Sequence, residues 1–244
     1  MHIVVNHLTR MAPEYICVAG VNPATGEHVR PTTNGRLGRH LLRAEGGPFD
    51  IAAMVDIGDV TPEGVAPELE DHYFEPSVAC FLSTVAPEDF WTLLNGVAHL
   101  TLADIFGPDL QWGGNTCWTE RGKGIASLGC LKAATHLRLM RNSDGKLRMH
   151  LSDGLREASS VSVTDIRLFA ADHLTMLDDV VANLNRRIQR GVPVVLSVGL
   201  SRPFAKTGDR HWLQVNGIHL EDNPVWQVKR TTMDSHVDLD DVPF

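Results

Sequence analysis

The chain has 244 residues, 43% hydrophobic and 21% charged, enough for one large globular domain or two small ones. No apolar run approaches the ~20 residues that cross a bilayer. MHIVVNHLTRM also lacks the basic flank and long apolar core of a signal peptide, so the expected compartment is the cytoplasm.

The net charge of −8 would argue against a polyanion binder if it were evenly spread. Residues 1–55 hold 5 Lys/Arg and 4 Asp/Glu, 56–89 hold none and 9, 90–233 hold 17 and 13, and 234–244 hold none and 4. Within 121–156 there are 8 basic and 2 acidic side chains, so a local patch can dock a polyanion. Cys17, Cys80, Cys117 and Cys130 form no CxxC pair, which points to neither a zinc knuckle nor a disulfide frame. No metal and no other cofactor is expected.

In the first half, YICVAGV (15–21), EHVRPT (27–32), DIAAMVDIGDV (50–60) and ACFLSTV (79–85) read as strands. Pro87, Glu88 and Asp89 open a helix with Trp91, Leu94, Ala98, Leu102 and Ile105 on one face, ended by Gly107-Pro108. QWGGNTCWTERGKG (111–124) reads as a loop and as the domain boundary.

IASLGCL (125–131) and HLRLMRN (136–142) follow, then a Ser143-Asp144-Gly145 turn and KLRMHLSDG (146–154), whose Leu147, Met149 and Leu151 alternate with Lys146, Arg148 and His150. That is the period of a half-buried strand, and the Asp-Gly marks a hairpin. SSVSVTDIRLF (159–169) is a further strand. Leu174, Leu177, Val180, Val181, Leu184 and Ile188 then keep helical spacing, with Asp172 as the cap, Arg186, Arg187 and Arg190 in the last turn, Gly191 at C′ and Pro193 beyond. PVVLSVGL (193–200) and WLQVNGIHL (212–220) are the last strands. Three strands, a helix and two strands is the order of an OB-fold, although small α+β domains share it. The expected architecture is mainly β with two helices: OB-like small barrels over 1–118 and 119–233, and a disordered acidic tail over 234–244.

Single-strand binders combine a positive groove with aromatic platforms. The candidates are Arg121, Lys123, Arg138, Arg141, Lys146, Arg148 and Arg156, with Trp112 and Trp118 beside them, and Arg202, Lys206, Arg210 and Trp212 around the last hairpin. A solvated face explains such charges equally well, and Trp91 and Trp226 read as core. His7, Arg10, Arg30, Arg36 and Arg39 form a smaller candidate rim.

The sequence ends in DLDDVPF. This stretch resembles the C-terminal tip of bacterial single-stranded DNA-binding proteins, an acidic tail that recruits replication, recombination and repair enzymes. The resemblance implies partner contacts by Asp238, Asp240, Asp241, Val242, Pro243 and Phe244. On such a partner Phe244 would fill an apolar pocket and the acids would lie along a basic ridge. The body resembles a prokaryotic dual-OB family through VVNHLTRM (4–11), YICVAG (15–20), HVRP (28–31), GGPFDI (46–51), HLSDG (150–154), LSVGLSRPF (196–204) and HWLQVNGIHLEDNPVW (211–226). That likeness implies two OB-like barrels and nucleic-acid binding.

Catalysis finds little support. No GxxxxGK[ST], HExxH or GxSxG motif occurs, and the acids Asp56, Asp59, Glu68, Glu70 and Asp71 have no basic neighbours in sequence to hold a phosphodiester. The expected function is therefore a non-enzymatic cytoplasmic protein that coats single-stranded DNA, or possible RNA targets, with strong salt dependence, and recruits helicases and nucleases through its tail. The competing expectation is an adaptor or nucleic-acid sensor of a defence or mobile-element system that mimics this tail.

Overall fold

The structure, a computed structural model, describes residues 1–11, 14–132, 136–203 and 208–226. It is mainly β, and its strands form two sheets. The first contains β1 (His2–Arg10), β2 (Tyr15–Val21), β3 (His28–Thr32), β4 (Leu37–Gly38), β5 (Ala53–Asp56), β6 (Thr61–Pro62), β7 (Asp71–Tyr73) and β8 (Cys80–Thr84). Its order is β6-β7-β3-β2-β1-β5-β8, with β4 paired to β2. Helix α1 (Pro87–Val97) then carries the chain to the second sheet.

That sheet contains β9 (Ala98–His99), β10 (Gln111–Gly113), β11 (Thr116–Glu120), β12 (Leu128–Lys132), β13 (Arg138–Arg141), β14 (Leu147–Ser152), β15 (Glu157–Val163), β16 (Val194–Leu200) and β17 (Arg210–Leu220). Its order is β13-β14-β15-β17-β16-β12-β9, with the β10–β11 hairpin attached to β17. The β15–β17 and β3–β7 pairs are parallel. Helix α2 (Leu102–Phe106) lies between β9 and β10, and α3 (Asp178–Gln189) between β15 and β16. Neither sheet closes into a barrel.

Three α-helices therefore stand where two were expected. The helix begun at Pro87 breaks because Ala98 and His99 pair with Cys130 and Leu131 of β12. Thr101 Oγ1 then accepts the Asp104 N–H at 3.1 Å and caps a new helix. Helix α3 starts six residues after Asp172. The Asp172 carboxylate instead closes a turn, accepting the Leu174 and Thr175 N–H groups, each at 2.8 Å. Gly191, at φ +84°, does end the helix as expected.

The Gly-rich stretch at 111–120 is a hairpin rather than a loop, with Gly114 at φ +59° in its turn. The expected boundary between residues 118 and 119 consequently falls inside β11, whose Trp118 pairs with Trp212. The alternating run 147–152 does form β14, paired through the Asp-Gly turn with β13.

Two apolar clusters fill the molecule. One packs Ile3, Val5, Val18, Phe49, Phe74, Phe90 and Leu94 under the first sheet, and it also takes in Cys130 and Val195 of the second sheet and Ile166 from the turn after β15. The other packs Phe106, Leu131, Met149, Leu151, Val161, Leu196 and Val215. A polar seam joins them. Asn6 Nδ2 donates to Ser197 Oγ and Cys130 Sγ, both at 3.2 Å. Glu70 accepts the Ser127 and Leu128 amides at 2.7 and 2.9 Å. Asp71 accepts from Arg30 of the first sheet and from Arg202, the second residue after β16. Among the described residues no helix is long and apolar enough to cross a membrane.

Candidate nucleic-acid interface

Residues directly opposite each other in adjacent strands project to the same face. Met140 is opposite Arg148, Arg148 opposite Ser162, and Ser162 opposite Gln214. Two residues back along β17 lies Trp212, opposite Trp118 of β11; two further back lies Arg210, opposite Glu120. One face therefore runs from Arg138 and Arg148 at one edge to Trp212, Trp118 and Arg210 at the other. At ~4.8 Å per strand, the four steps from β13 to β11 span about 19 Å.

The aromatic end of this face is a stack. The Trp118 and Trp212 ring centroids lie 5.1 Å apart, tilted by 48°. The Arg210 guanidinium carbon sits 4.6 Å from the Trp118 centroid and 5.7 Å from that of Trp212. These are cation–π distances. Gly113 makes room for this arrangement, since a Cβ there would meet the rim of the Trp118 indole at 2.7 Å. Both indoles are half-buried, and neither Nε1 finds a hydrogen-bond partner.

Trp112 is not part of the stack. It pairs with Cys117, so it faces the apolar interior, where it packs against the second core. Arg156 covers its outer side, 5.6 Å from the ring centroid.

The structure thus brings together Trp118, Trp212 and Arg210, with Arg138 and Arg148 on the same sheet face. Arg148 also donates to Leu147 O at 3.1 Å. Lys146 is exposed in the β13–β14 turn, and Lys123 in the turn after β11. Three expected contacts are otherwise engaged. Arg141 pairs with Asp178 of α3, Arg121 with Asp209 at 4.0 Å, and Arg202 with Asp71 and, at 3.5 Å, with Glu68. The partners come from distant positions, 37 residues away for Arg141, so the positive run at 121–156 is weaker in space than in sequence. Lys206 and the tail residues Asp238, Asp240, Asp241, Val242, Pro243 and Phe244 lie outside the described residues.

The residues of the smaller rim are divided among separate contacts. His7 and Arg30 are buried, Arg30 against Asp71. Arg10 stacks on Phe169 at 3.8 Å, Arg36 lies over Tyr15 at 5.3 Å, and Arg39 pairs with Glu45 at 2.6 Å. Two of the carboxylates read as lacking basic companions have them: Glu68 and Asp71 meet Arg30 of their own sheet and Arg202 from across the seam. No sequence spacing signals that contact, because Asp71 and Arg202 are 131 residues apart.

The seam also concentrates titratable groups. His219 Nε2 lies 3.0 Å from Ser197 Oγ and 3.1 Å from Asn6 O. Burial, then the nearby Arg167 charge, lowers its pKa to about 4. Burial lowers His28 to about 4, with His99 adding to the effect. The Cys130 thiol, 3.7 Å from His28 Nε2, is pushed up to about 12 by burial, so it stays protonated and unreactive at neutral pH. Among the described residues no group of three or more His, Cys, Asp and Glu is placed to hold a metal ion.

No known protein family, curated protein or solved structure matches this chain.

Proposed function

We propose that this chain is a non-catalytic single-stranded nucleic-acid-binding protein, with DNA as the first substrate to test. The observation that carries the reading is the half-buried Trp118–Trp212–Arg210 stack on a sheet face that also carries Arg138 and Arg148. Aromatic platforms of this kind accept any base, because every base has a π-face, at about 1–3 kcal/mol per stacked base.

The topology supports the reading. Numbering β12, β14, β15, β16 and β17 as strands 1 to 5, the second sheet has the order 2-3-5-4-1, with β13 on the free side of strand 2. Strands 3 and 5 are parallel, and α3 enters between strands 3 and 4. We read this as an OB-like arrangement. In the first sheet, β7 pairs with β3 and β8 with β5, as if one fifth strand were split in two. OB-folds bind through the face of strands 2 and 3 and the loops 1–2 and 4–5. Here these are the Arg148 and Ser162 face, the turn holding Lys146, and the connection from β16 to β17. The dual-OB resemblance of the sequence agrees.

DLDDVPF belongs to the proposal as a partner-recruiting segment, on the strength of its sequence alone. It would hand replication and repair enzymes to the bound strand.

The test is fluorescence anisotropy of labelled dT oligomers across a salt series, with the full chain, Trp212→Ala, and the chain shortened to residues 1–233. The expected result is binding by the full and shortened chains and at least fivefold weaker binding by Trp212→Ala. No binding at low salt by any form refutes the proposal and leaves an adaptor that works through its tail.

A further inference from the structure

Side chains alternate faces along a strand, so Glu120 of β11 projects to the same side as Trp118, ~7 Å further along. It stands directly opposite Arg210, the cation that covers the indoles. The next pair is joined by a hydrogen bond, the Arg121 N–H donating to Asp209 O at 2.8 Å. Glu120 and Arg210 therefore form the non-hydrogen-bonded kind of pair, whose side chains stand closest. An ion pair would be expected there. The guanidinium lies over Trp118 and Trp212 instead, and Arg121 is taken by Asp209. Among the described residues nothing holds the Glu120 carboxylate, and the side chain is exposed.

The indole platform selects nothing by itself, since every base stacks. A carboxylate at its end does select. Its two oxygens only accept, and two adjacent N–H donors satisfy both. Among the common bases guanine alone offers such a pair on its Watson–Crick edge, N1–H beside an N2 amino hydrogen. Adenine and cytosine set an amino donor next to a ring-nitrogen acceptor. Thymine and uracil set one N–H between two carbonyls. Each of these turns a lone pair toward the carboxylate. Arg210 carries donors only, which suits the guanine O6 on the other side of N1. In a single strand that edge is unpaired and can be read.

We infer that Glu120, with Arg210, makes this platform a guanine-preferring subsite for single strands. The inference rests on the base-stacking reading of the Trp118–Trp212 pair and adds base choice to it. The carboxylate also repels phosphate, so the strand turns a base edge rather than its backbone toward this end of the face.

The test is fluorescence anisotropy with the full chain and short labelled dT oligomers carrying one central G, inosine, A or C in place of T. The G oligomer should bind at least fivefold tighter than the T oligomer. Inosine, which lacks the N2 amino group, should lose most of that advantage, and this arm probes the contact without any change in the protein. Glu120→Gln should bring the G and T oligomers to within twofold of each other; the ratio is read so that a general loss of affinity cancels. Equal binding of the G and T oligomers, with binding itself intact, overturns this inference alone. So does a G preference that inosine or Glu120→Gln keeps in full. Tightest binding of the A oligomer also overturns it and moves base choice to the amide of Gln214, two residues beyond Trp212 on β17. No binding of any oligomer overturns the stacking reading beneath it.

Discussion

Acid should destabilise this protein through its seam, and His219 allows the size to be worked out. The imidazole is fully buried, and its pKa falls from 6.5 to about 4. The unfolded chain therefore takes up a proton at a higher pH than the folded one. The folded state keeps its full advantage above pH 6.5 and loses it as pH falls toward 4. At one pKa unit per 1.36 kcal/mol, this one group removes about 2 kcal/mol between pH 7 and pH 5, and about 3 kcal/mol at lower pH. His28 and His7, both lowered mainly by burial, act in the same direction. Against a typical total of roughly 5–15 kcal/mol, the effect is large enough to measure. Urea unfolding at pH 7 and pH 5 gives the difference directly. His219→Gln should be less stable than wild type at pH 7, since it disturbs the contacts to Ser197 and Asn6, yet should lose about 2 kcal/mol less on acidification. An unchanged pH dependence in the variant, or an NMR titration placing His219 near 6.5, would refute the reasoning.

Three further outcomes follow from named contacts. Asp165 is fully buried and accepts from Arg167 Nε at 3.0 Å, Arg167 Nη2 at 2.8 Å and the Ile218 amide at 3.0 Å. Asp165→Ala strands a buried guanidinium, so chemical denaturation should show a loss of about 3–5 kcal/mol, while a loss below 1 would mean the pair is not buried in solution. Gly113→Val should tip the Trp118 indole off its platform; the readout is weaker dT binding with little change in melting temperature. Asp178→Asn frees Arg141, and if that arginine then reaches a phosphate the log–log salt slope for single strands should steepen by about 0.7.

The second half of the fold was legible because its periodicities are clean. Leu147, Met149 and Leu151 are buried and alternate with less buried residues, as a one-faced strand requires. The last strands were equally readable, as were Val180, Val181, Leu184 and Ile188 of α3, whereas Leu174 and Leu177 precede that helix. Strand β1 escaped for the opposite reason: Ile3 to Leu8 are buried without alternation, and the run includes Asn6 and His7, which look like surface residues until the seam supplies Ser197, Cys130 and Asn216 as neighbours. The break between α1 and α2 was invisible because it depends on pairing with β12, 32 residues on from Ala98 to Cys130. Of the site, the residue types were readable and the company they keep was not. Trp118 and Trp212 meet only because β11 pairs with β17, and composition alone placed Trp112 with them although it faces inward.

That company changes what should govern binding. A reading from charge alone expects affinity dominated by counterion release and a steep salt dependence. Of the ten candidate cations, Arg121, Arg141 and Arg202 are already bound to carboxylates, and Lys206 lies outside the described residues. Six remain, and if all six met phosphates the single-strand salt slope would be at most about 4. They cannot all meet one short strand, since Arg156 covers Trp112 and Lys123 sits beyond β11, off the shared face. The stacking term has no such discount: a base on the Trp118–Trp212 platform is worth about 1–3 kcal/mol in any salt. The proposed interface should therefore hold a few nucleotides by their bases. Removing the Trp212 ring should weaken binding by a similar factor at low and at high salt, and a Trp212→Ala defect that vanishes at low salt would return the interface to charge.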